Sequence, residues 1–358
     1  MKTALIMAGG TGGHIFPGLA VANRLRASGW DVHWLGGPAP CMESQLVPPQ
    51  GFVYETVQFS GVRGKGLVTF CTLPFKLLRA CWQSMQVLRR VRPHVVLGMG
   101  GYISFPAGVM AALAGYKLVV HEQNSIAGLS NKILAKFAQV VLTTFPHTLK
   151  NAQWIGNPLR EAFVRKARPS ERLGKRHGPL QLLVVGGSLG AQALNTVVPQ
   201  ALALLSEFRR PVVTHQSGAK QMDALRAAYE QADVQATLTP FIEDTAEAFA
   251  HADIVITRAG ASTVTELAAI GAAAIFVPFP HAVDDHQTAN ARYLVDTGGG
   301  WLLQQSELTA QGLADQLQSL TRETLTVVAE KAYALRKTDA TEKTVAICEQ
   351  LAGRGVAA

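Results

Sequence analysis

Short runs of apolar residues, each followed by a glycine-bearing turn and a helical pattern, recur along the whole chain. Continuously apolar runs that alternate with helices indicate parallel sheets covered on both faces. The pattern restarts after a polar, basic stretch at 165–178, and Gly156-Asn157-Pro158 just before it is a turn signal suited to a hinge. Two similar α/β halves are therefore predicted, over 1–160 and 161–338. The predicted strands cover 3–8, 31–35, 95–97, 118–121, 140–143, 180–185, 211–216, 234–237, 254–257 and 273–277.

Length and composition indicate a folded protein that does not span a membrane. The 358 residues exceed one ordinary domain, and 48% hydrophobic with 7% aromatic residues excludes a disordered chain. The four cysteines form no CxxC pair and no metal-ligand spacing, which is typical of reduced cytosolic thiols. The first apolar stretch is predicted to be a strand rather than a signal peptide. The longest apolar runs, 105–115 and 268–279, fall short of the roughly 18 residues that a spanning helix needs.

Charge is distributed unevenly along the chain. Residues 1–160 carry 15 lysines and arginines against four acidic residues, whereas the remainder carries 18 against 21, within a formal net charge of +8. This asymmetry predicts that the first half meets an anionic partner. Nucleic acid, a phospholipid surface and a phosphorylated substrate are three such partners. Nucleic acid is not expected, because no recognised binding motif accompanies the basic residues.

Three glycine-rich loops follow predicted strands. GGTGGH (9–14) and GMGGY (98–102) lie in the first half, and GGSLGA (186–191) lies in the second. Glycine lets backbone N–H groups approach a phosphate, and a helix N-terminus behind such a loop favours negative charge. One loop is weak evidence, because tight strand–helix connections use glycine anyway, but three at equivalent places favour a phosphate-rich site. None matches G-x-G-x-x-G or G-K-[ST], which excludes a P-loop NTPase and leaves a nicotinamide-dependent oxidoreductase only as an alternative.

Longer motifs resemble those of a known family. They are GGTGGHIFP (9–17), GMGGYISFP (98–106), HEQNSIAGLSNK (121–132), GNPLR (156–160), GGSLGA (186–191), RAGASTVTEL (258–267) and VPFPHAVDDHQTANA (277–291). In this order they resemble the MurG family, the N-acetylglucosaminyltransferases of peptidoglycan synthesis, over essentially the whole chain. The resemblance implies an α/β fold of GT-B architecture, with two Rossmann-like parallel-sheet domains facing across a cleft. The first, 1–160, would bind acceptor and membrane, with the helix of 339–358 packed on it, and the second, 161–338, would bind the donor.

The resemblance also implies an activity and its partners. The expected reaction transfers N-acetylglucosamine from UDP-N-acetylglucosamine (UDP-GlcNAc) to the 4-hydroxyl of the undecaprenyl-diphospho-muramoyl-pentapeptide, lipid I. It proceeds with inversion and without a cofactor, and it gives lipid II and UDP. The implied location is the cytoplasmic face of the plasma membrane, peripherally bound, where cell-wall and division proteins would be partners. Two alternatives are a UDP-GlcNAc epimerase or hydrolase on the same scaffold, which would need no lipid, and a non-catalytic membrane scaffold that senses UDP-sugar.

Carried over position by position, the resemblance implies a set of donor-site residues. Glu266 has two oxygens to hold both ribose hydroxyls, and Ile242 would offer backbone groups to uracil. Ser188 would help to hold the diphosphate, Arg160 would contact phosphate or sugar oxygens, and Gln287 would bind sugar hydroxyls. The ordinary alternative for Glu266, Arg160 and Gln287 is a solvated surface side chain. The full donor set is Thr11, Gly12, Gly13, Asn124, Arg160, Ser188, Ile242, Ala261, Ser262, Thr263, Val264, Thr265, Glu266 and Gln287.

The segment PHAVDDHQ (280–287) is one residue longer than the family pattern, so Gln287 is matched from its C-terminal side. Its His281, Asp284, Asp285 and His286 suggest a metal site. No metal is expected there, because no DxD motif follows a strand and acidic residues are common at helix ends.

The expected chemistry needs a base for the incoming hydroxyl and stabilisation of the charge that grows on UDP. His14 is the predicted base, because its unperturbed pKa lies near neutrality and it sits at the tip of the first loop. Hydrogen bonding to phosphate or backbone is the alternative role of His14, and Glu122 is the second candidate base. Gly100, Gly101 and Tyr102 are predicted to position the acceptor.

A basic, apolar segment in the first half is predicted to meet the membrane. Residues 60–92 contain seven lysines and arginines and no acidic residue. Phe75, Leu78 and Trp82 share a face at helical spacing, with Lys76 and Arg79 beside it. This pattern predicts an amphipathic interfacial helix whose apolar side chains insert among acyl chains while its cations meet anionic headgroups. Helical periodicity alone is also consistent with packing of the apolar face in the core.

Overall fold

The computed structural model describes residues 1–61, 67–187 and 190–353, with backbone alone for 67–71 and 283. The chain divides into two compact units. Unit 1 comprises Met1–Arg160 and Lys337–Ala358, and unit 2 comprises Glu161–Arg336. Each unit contains one parallel sheet flanked by helices, so the predicted α/β class with two parallel sheets is confirmed.

Unit 1 alternates strands and helices from its first residues. Its strands are β1 (Thr3–Met7), β2 (Asp31–Gly36), β3 (Val53–Thr56), β4 (Val95–Gly98), β5 (Leu118–Glu122), β6 (Val140–Thr143) and β7 (Gln153–Trp154). Its helices are α1 (Gly12–Ala27), α2 (Met42–Leu46), α3 (Leu67–Val91), α4 (Ser104–Leu113), α5 (Leu129–Leu134) and, numbered by its place in the chain, α15 (Ala340–Gly353). In the described part of the unit the sheet order is β3-β2-β1-β4-β5-β6-β7.

The central strand β1 shows why helices cover both faces of this sheet. Ala4 and Ile6 face one core with α1, whereas Leu5 and Met7 face the other core with α3 and α4. Successive side chains of a strand point to opposite faces, so a strand that is apolar throughout needs apolar partners on both sides.

Unit 2 repeats the same arrangement. Its strands are β8 (Gln181–Val185), β9 (Val212–Gln216), β10 (Thr237–Thr239), β11 (Ile254–Thr257), β12 (Ala274–Phe276) and β13 (Trp301–Leu302). Its helices are α6 (Glu161–Val164), α7 (Pro169–Leu173), α8 (Gln192–Ala203), α9 (Met222–Ala232), α10 (Thr245–His251), α11 (Ala261–Ile270), α12 (His286–Val295), α13 (Ala310–Ser319) and α14 (Arg322–Ala334). The described strands are ordered β10-β9-β8-β11-β12-β13.

A buried carboxylate joins three segments of unit 2. Asp253, which is 1% exposed, lies just before β11. Its oxygens accept hydrogen bonds from Arg176 at 2.8 Å and Arg322 at 3.0 Å, and from the Gln181 backbone N–H at 2.8 Å. A buried charge needs such partners, because the desolvated carboxylate would otherwise be strongly destabilising.

The last helix, α15, belongs to the core of unit 1. Its Ala340, Val345 and Cys348 are buried in the same apolar cluster as α1. Arg24 on α1 pairs with Glu342 at 2.7 Å. The chain therefore leaves unit 1 after residue 160 and returns to it at residue 337.

The strand predictions are wrong at the sheet edges. β3, β7 and β13 were not predicted, and the strand expected at 234–237 is observed at Thr237–Thr239. All four are the outermost strands of their sheets. An edge strand is covered less completely than a central one, so its sequence is short and partly polar and lacks the apolar run that marks β1 or β8.

Candidate active site

The loops after β1, β4 and β5 leave the same edge of the first sheet, because these strands are parallel neighbours. At Gly101, whose φ is +84°, a Cβ would lie 2.4 Å from the Gly9 carbonyl oxygen. At Gly100, whose φ is +96°, a Cβ would lie 2.7 Å from His14 Nδ1. Only glycine allows both conformations at such close approach, so the packing of the second loop on the first depends on these two residues.

Tyr102 extends the same cluster. Its ring lies tilted against Phe59, with ring centroids 6.4 Å apart, and within 3.4 Å of the position of a Cβ on Gly10. Burial, reinforced by the nearby Glu43 and Cys41 charges, raises the pKa of the Tyr102 phenol above its usual 10. The phenol therefore stays protonated at neutral pH and can donate a hydrogen bond.

A chain of hydrogen bonds ties His14 to the end of β5. His14 Nδ1 lies 2.9 Å from Gln123 Oε1, and Gln123 Nε2 lies 2.9 Å from His121 Nδ1. His121 Nε2 lies 2.9 Å from the Gly156 carbonyl oxygen. His121 and Gln123 are 0% and 1% exposed, whereas His14 is partly exposed. Burial lowers the pKa of His121 to about 4, so its imidazole is neutral at physiological pH.

Glu122, the second candidate base, is buried and fully engaged with the loop that follows it. One carboxylate oxygen accepts from the Asn124 backbone N–H at 2.9 Å. The other accepts from the Gly128 backbone N–H at 3.1 Å and from Asn131 Nδ2 at 2.9 Å. A carboxylate held by three such donors fixes the course of 123–128.

The other residues of unit 1 that are predicted to bind the donor lie mainly at the start of α1 and at residue 160. Thr11 is the extended N-cap residue of α1, whose first turn contains no acidic side chain, so its N–H groups favour an anion. The guanidinium of Arg160 lies 5.5 Å from the ring centroid of Phe16 on the same helix. Asn124 follows Glu122 in the loop described above. Gly12 and Gly13 open the helix itself.

Glu43 also belongs to this region, although it was not among the residues predicted from the sequence. Its carboxylate is 0% exposed and accepts hydrogen bonds from the backbone N–H groups of Gly10 at 3.1 Å and Gly37 at 3.2 Å. A Cβ at Gly9 would lie 2.4 Å from one of its oxygens. Glu43 therefore pins the first loop to the loop after β2. The signal was the Gly36-Gly37 pair at the end of β2, which leaves room for this side chain.

The end of the third glycine loop, in unit 2, packs against the Ser217 carbonyl group. Gly190 has φ +78°, and a Cβ there would lie 2.2 Å from the Ser217 carbonyl oxygen. Asn195 on α8 donates to that same oxygen at 3.1 Å, and its own Oδ1 lies 3.1 Å from Nε2 of the buried His215. This network was not predicted, because its members lie far apart in sequence. Ser188, the predicted diphosphate contact, lies outside the described residues.

The run Ala261–Glu266 forms the start of α11, with Gly260 as N-cap. Val264 is 0% exposed and Ala261 5% exposed, so these side chains pack in the core, and Thr265 Oγ1 donates to the Ala261 carbonyl at 2.9 Å. Ser262 Oγ is buried without a hydrogen-bond partner among the residues that the structure describes. The first turn of α11 holds no acidic residue, so its N–H groups and the Ser262 hydroxyl suit an oxygen-rich anion. Thr263 and Glu266 are partly exposed on the same helix.

Gln287 has one end of its amide fixed. Its Oε1 accepts from the Phe279 backbone N–H at 2.9 Å and from the Ala259 backbone N–H at 3.3 Å. The Nε2 group is therefore the end that can donate to a ligand. Ile242, the predicted uracil contact, is partly exposed in the loop after β10. Within the described residues, no group of three His, Cys, Asp or Glu side chains is placed to hold a metal ion.

The amphipathic segment forms the middle of α3, and its apolar face is exposed. Phe75, Leu78 and Trp82 are 73%, 68% and 63% exposed. Lys76 and Arg79 are exposed beside them. The opposite face of α3 supplies Ala80, Val87 and Leu88 to the core of unit 1. Across the described residues, none of the helices is both long enough and apolar enough to span a membrane.

Comparison with known proteins identifies the class. Residues 4–143 match the N-terminal domain of glycosyltransferase family 28, and residues 181–346 match its C-terminal domain. The protein is thus a family 28 glycosyltransferase, and the predicted GT-B class of its fold is confirmed.

Full-length relatives narrow the class to one family. The chain is 65% identical over 350 residues to a Paracidovorax citrulli protein named UDP-N-acetylglucosamine–N-acetylmuramyl-(pentapeptide) pyrophosphoryl-undecaprenol N-acetylglucosamine transferase, with 98% of both chains covered. It is 64% identical over 355 residues to the Polaromonas protein of the same name, covering 98% of this chain and 92% of that one. Its structure matches the crystal structure of Acinetobacter baumannii MurG with a TM-score of 0.84 at 39% identity, covering 98% of this chain and 100% of that one. The chain belongs to the MurG family.

Proposed function

We propose that this enzyme transfers N-acetylglucosamine from UDP-GlcNAc to the 4-hydroxyl of the muramoyl-pentapeptide of lipid I, giving lipid II and UDP. The observation that carries the proposal is membership of the MurG family over nearly the whole chain. The chemistry of each unit supports it, because unit 1 carries the His14 imidazole on its glycine loop and unit 2 carries a helix, α11, whose first turn holds no acidic residue. No observation favours an epimerase or hydrolase.

His14 is the proposed base in this reaction. The acceptor hydroxyl attacks the anomeric carbon, its proton passes to the imidazole, and the bond to UDP breaks with inversion. Three hydrogen bonds tie the Glu122 carboxylate to the loop that follows it and to α5, which favours a role in shaping that loop over proton transfer. Gly100, which lies against His14, and its neighbours Gly101 and Tyr102 are proposed to position the acceptor.

The donor is proposed to bind largely at the N-terminus of α11 in unit 2. The Ser262 hydroxyl and the first N–H groups of that helix would donate hydrogen bonds to the diphosphate, with Glu266 one turn further on at the ribose hydroxyls. Gln287 would donate its amide N–H to the sugar, and Ile242 would meet uracil. As UDP departs, the helix N-terminus stabilises the growing negative charge without requiring a metal.

A transfer assay with UDP-GlcNAc and a short-chain, soluble lipid I analogue tests these assignments. His14→Ala should lower kcat on the order of a hundredfold or more with little change in the KM for UDP-GlcNAc. Glu266→Ala should instead raise that KM, because ribose contacts are lost from ground and transition states alike. The exposed His177 and Glu307 provide matched controls, and His177→Ala and Glu307→Ala should behave as wild type. Free sugar or an epimer formed from UDP-GlcNAc alone would refute the transferase assignment.

We also propose that the exposed face of α3 binds an anionic membrane, and that this membrane is the plasma membrane, bound peripherally at its cytoplasmic face. Phe75, Leu78 and Trp82 present apolar surface beside Lys76 and Arg79. Exposure of such a surface to water costs free energy, which burial among lipids would recover. Because lipid I is itself anchored in the bilayer, docking would bring the acceptor within reach.

Vesicles that contain phosphatidylglycerol test the membrane proposal. Phe75→Ser combined with Trp82→Ser should weaken vesicle binding about tenfold or more while sparing turnover of the soluble acceptor. Phe208→Ser is the control, since Phe208 is 99% exposed and lies in unit 2, outside α3. Equal loss of vesicle binding and soluble turnover would mean that the double variant damages the fold instead.

A further inference from the structure

Gln123 is not among the residues expected to act in the reaction, yet it is the sole side chain that joins His14 to His121 in the hydrogen bonds of the described chain. It is 1% exposed, so its amide is shielded from bulk solvent. The direction in which this amide points decides which nitrogen of His14 carries a proton.

The direction can be derived from the far end of the chain. The Gly156 carbonyl oxygen can only accept, so His121 Nε2, at 2.9 Å, must donate to it. His121 is fully buried and neutral, so its Nδ1 must then be the acceptor. The Gln123 group at 2.9 Å from that Nδ1 is therefore the NH2 group.

The opposite end of the same amide is then fixed as well. With its NH2 toward His121, Gln123 presents Oε1 to His14 Nδ1 at 2.9 Å, and this oxygen can only accept. The hydrogen atom must lie on His14 Nδ1. Turning the amide round would set two acceptors against each other at His121, unless that buried ring took up a second proton.

We infer that Gln123, oriented by His121 and the Gly156 carbonyl, is a positioning residue that holds His14 in the Nδ1–H tautomer, so that the Nε2 lone pair faces the acceptor hydroxyl. This inference rests on the proposed role of His14 as base. A neutral imidazole in the other tautomer has no lone pair on Nε2 and cannot accept the proton there.

Nitrogen-15 spectra of histidine-labelled enzyme measure the tautomer directly, without an activity assay. At about pH 8, above the usual histidine pKa, His14 should show the Nδ1–H pattern, with His14→Ala identifying its signals. Gln123→Met, which keeps the length of the side chain and removes both polar ends, should release the Nε2–H tautomer. Gln123→Glu keeps an acceptor opposite His14 Nδ1 and should retain the Nδ1–H form, while its second oxygen faces the lone pair of His121 Nδ1 unless that ring takes up a second proton.

Kinetics with the soluble acceptor complete the test. Gln123→Met should lower kcat on the order of tenfold or more at unchanged KM for UDP-GlcNAc, and Gln123→Glu should recover part of that loss. Wild-type enzyme in the Nε2–H form would overturn the inference, whether or not His14 is the base and whether or not the variants fold. A tautomer that switches in Gln123→Met at unchanged kcat would also overturn the positioning role. Failure of the base assignment is separate, since it would appear as an active His14→Ala enzyme with the wild-type tautomer intact.

Discussion

Acidification should destabilise each unit through its own buried histidine. His121 in unit 1 and His215 in unit 2 are both 0% exposed. Burial lowers the pKa of His121 to about 4 and that of His215 to about 3. In the unfolded chain both return to about 6.5. Below this value the unfolded chain binds a proton that the folded unit excludes, so the folded units lose stability as the pH falls.

The magnitude follows from these values. Each histidine destabilises its unit by roughly 1.4 kcal/mol per pH unit, starting near 6.5 and ending where the folded group itself takes up a proton. Between pH 7 and pH 5 the loss is about 2 kcal/mol per unit. Because both shifted values lie below 5, the two units should respond almost equally over this interval and diverge only in stronger acid, where His121 saturates first.

Hydrogen exchange read by mass spectrometry follows the two units separately, which a single melting curve does not. After correction for the intrinsic exchange rate, the opening free energy of peptides from β5 and from β9 should fall by about 2 kcal/mol between pH 7 and pH 5. His215→Gln should abolish the pH response of unit 2 and leave that of unit 1 unchanged. Opening free energies that are the same at both pH values would refute the reasoning, as would a response of unit 2 that survives His215→Gln.

Three further predictions concern buried groups and the third loop. Glu43→Gln turns an amide N–H toward a backbone N–H. We therefore expect the free energy of unfolding of unit 1, measured by hydrogen exchange, to fall by about 1–3 kcal/mol and the transferase kcat to fall as well. Unchanged stability would contradict the assigned contacts. Asp253→Asn leaves its two arginine partners without a counter-charge. The free energy of unfolding of unit 2 should therefore fall by about 3–5 kcal/mol, with little effect on the transfer kinetics. Asp315→Asn, at an exposed position of the same unit, is the control. Gly190→Ala should raise the KM for UDP-GlcNAc much more than the control Gly178→Ala does. Both glycines have positive φ, but a Cβ at Gly178 meets nothing within 4 Å. Equal effects of the two variants would mean that backbone strain alone matters.

The central strands could be predicted from the sequence because burial on both faces leaves a continuous apolar run. β1, β4, β5, β8 and β11 all carry this run, and the functional loops follow them. The edge strands could not be predicted, because an outer strand has a neighbour on one side and needs fewer apolar residues. The loops were therefore located correctly even though the sheet borders were missed.

Contacts within the site could be predicted only in part. His14 and the glycine pair at 100–101 were selected from their motifs, and the structure brings them together. The contact of Glu43 with Gly10 joins residues 33 positions apart, and that of Gln123 with His14 joins residues 109 positions apart, and no local pattern encodes such a meeting. The period of α3 indicated that Phe75, Leu78 and Trp82 share a face, but a period does not reveal whether that face meets the core or the solvent.

The return of the chain to unit 1 at residue 337 affects the order in which a newly made protein can mature on the ribosome. The core of unit 1 includes α15, whereas every residue of unit 2 is synthesised before that helix. Unit 2 can thus complete its own core while unit 1 still exposes the apolar groove that α15 fills. Unit 1 is therefore the first unit to be synthesised and the last to complete its fold. A protein made from a truncated message that lacks α15 would leave apolar surface exposed along α1.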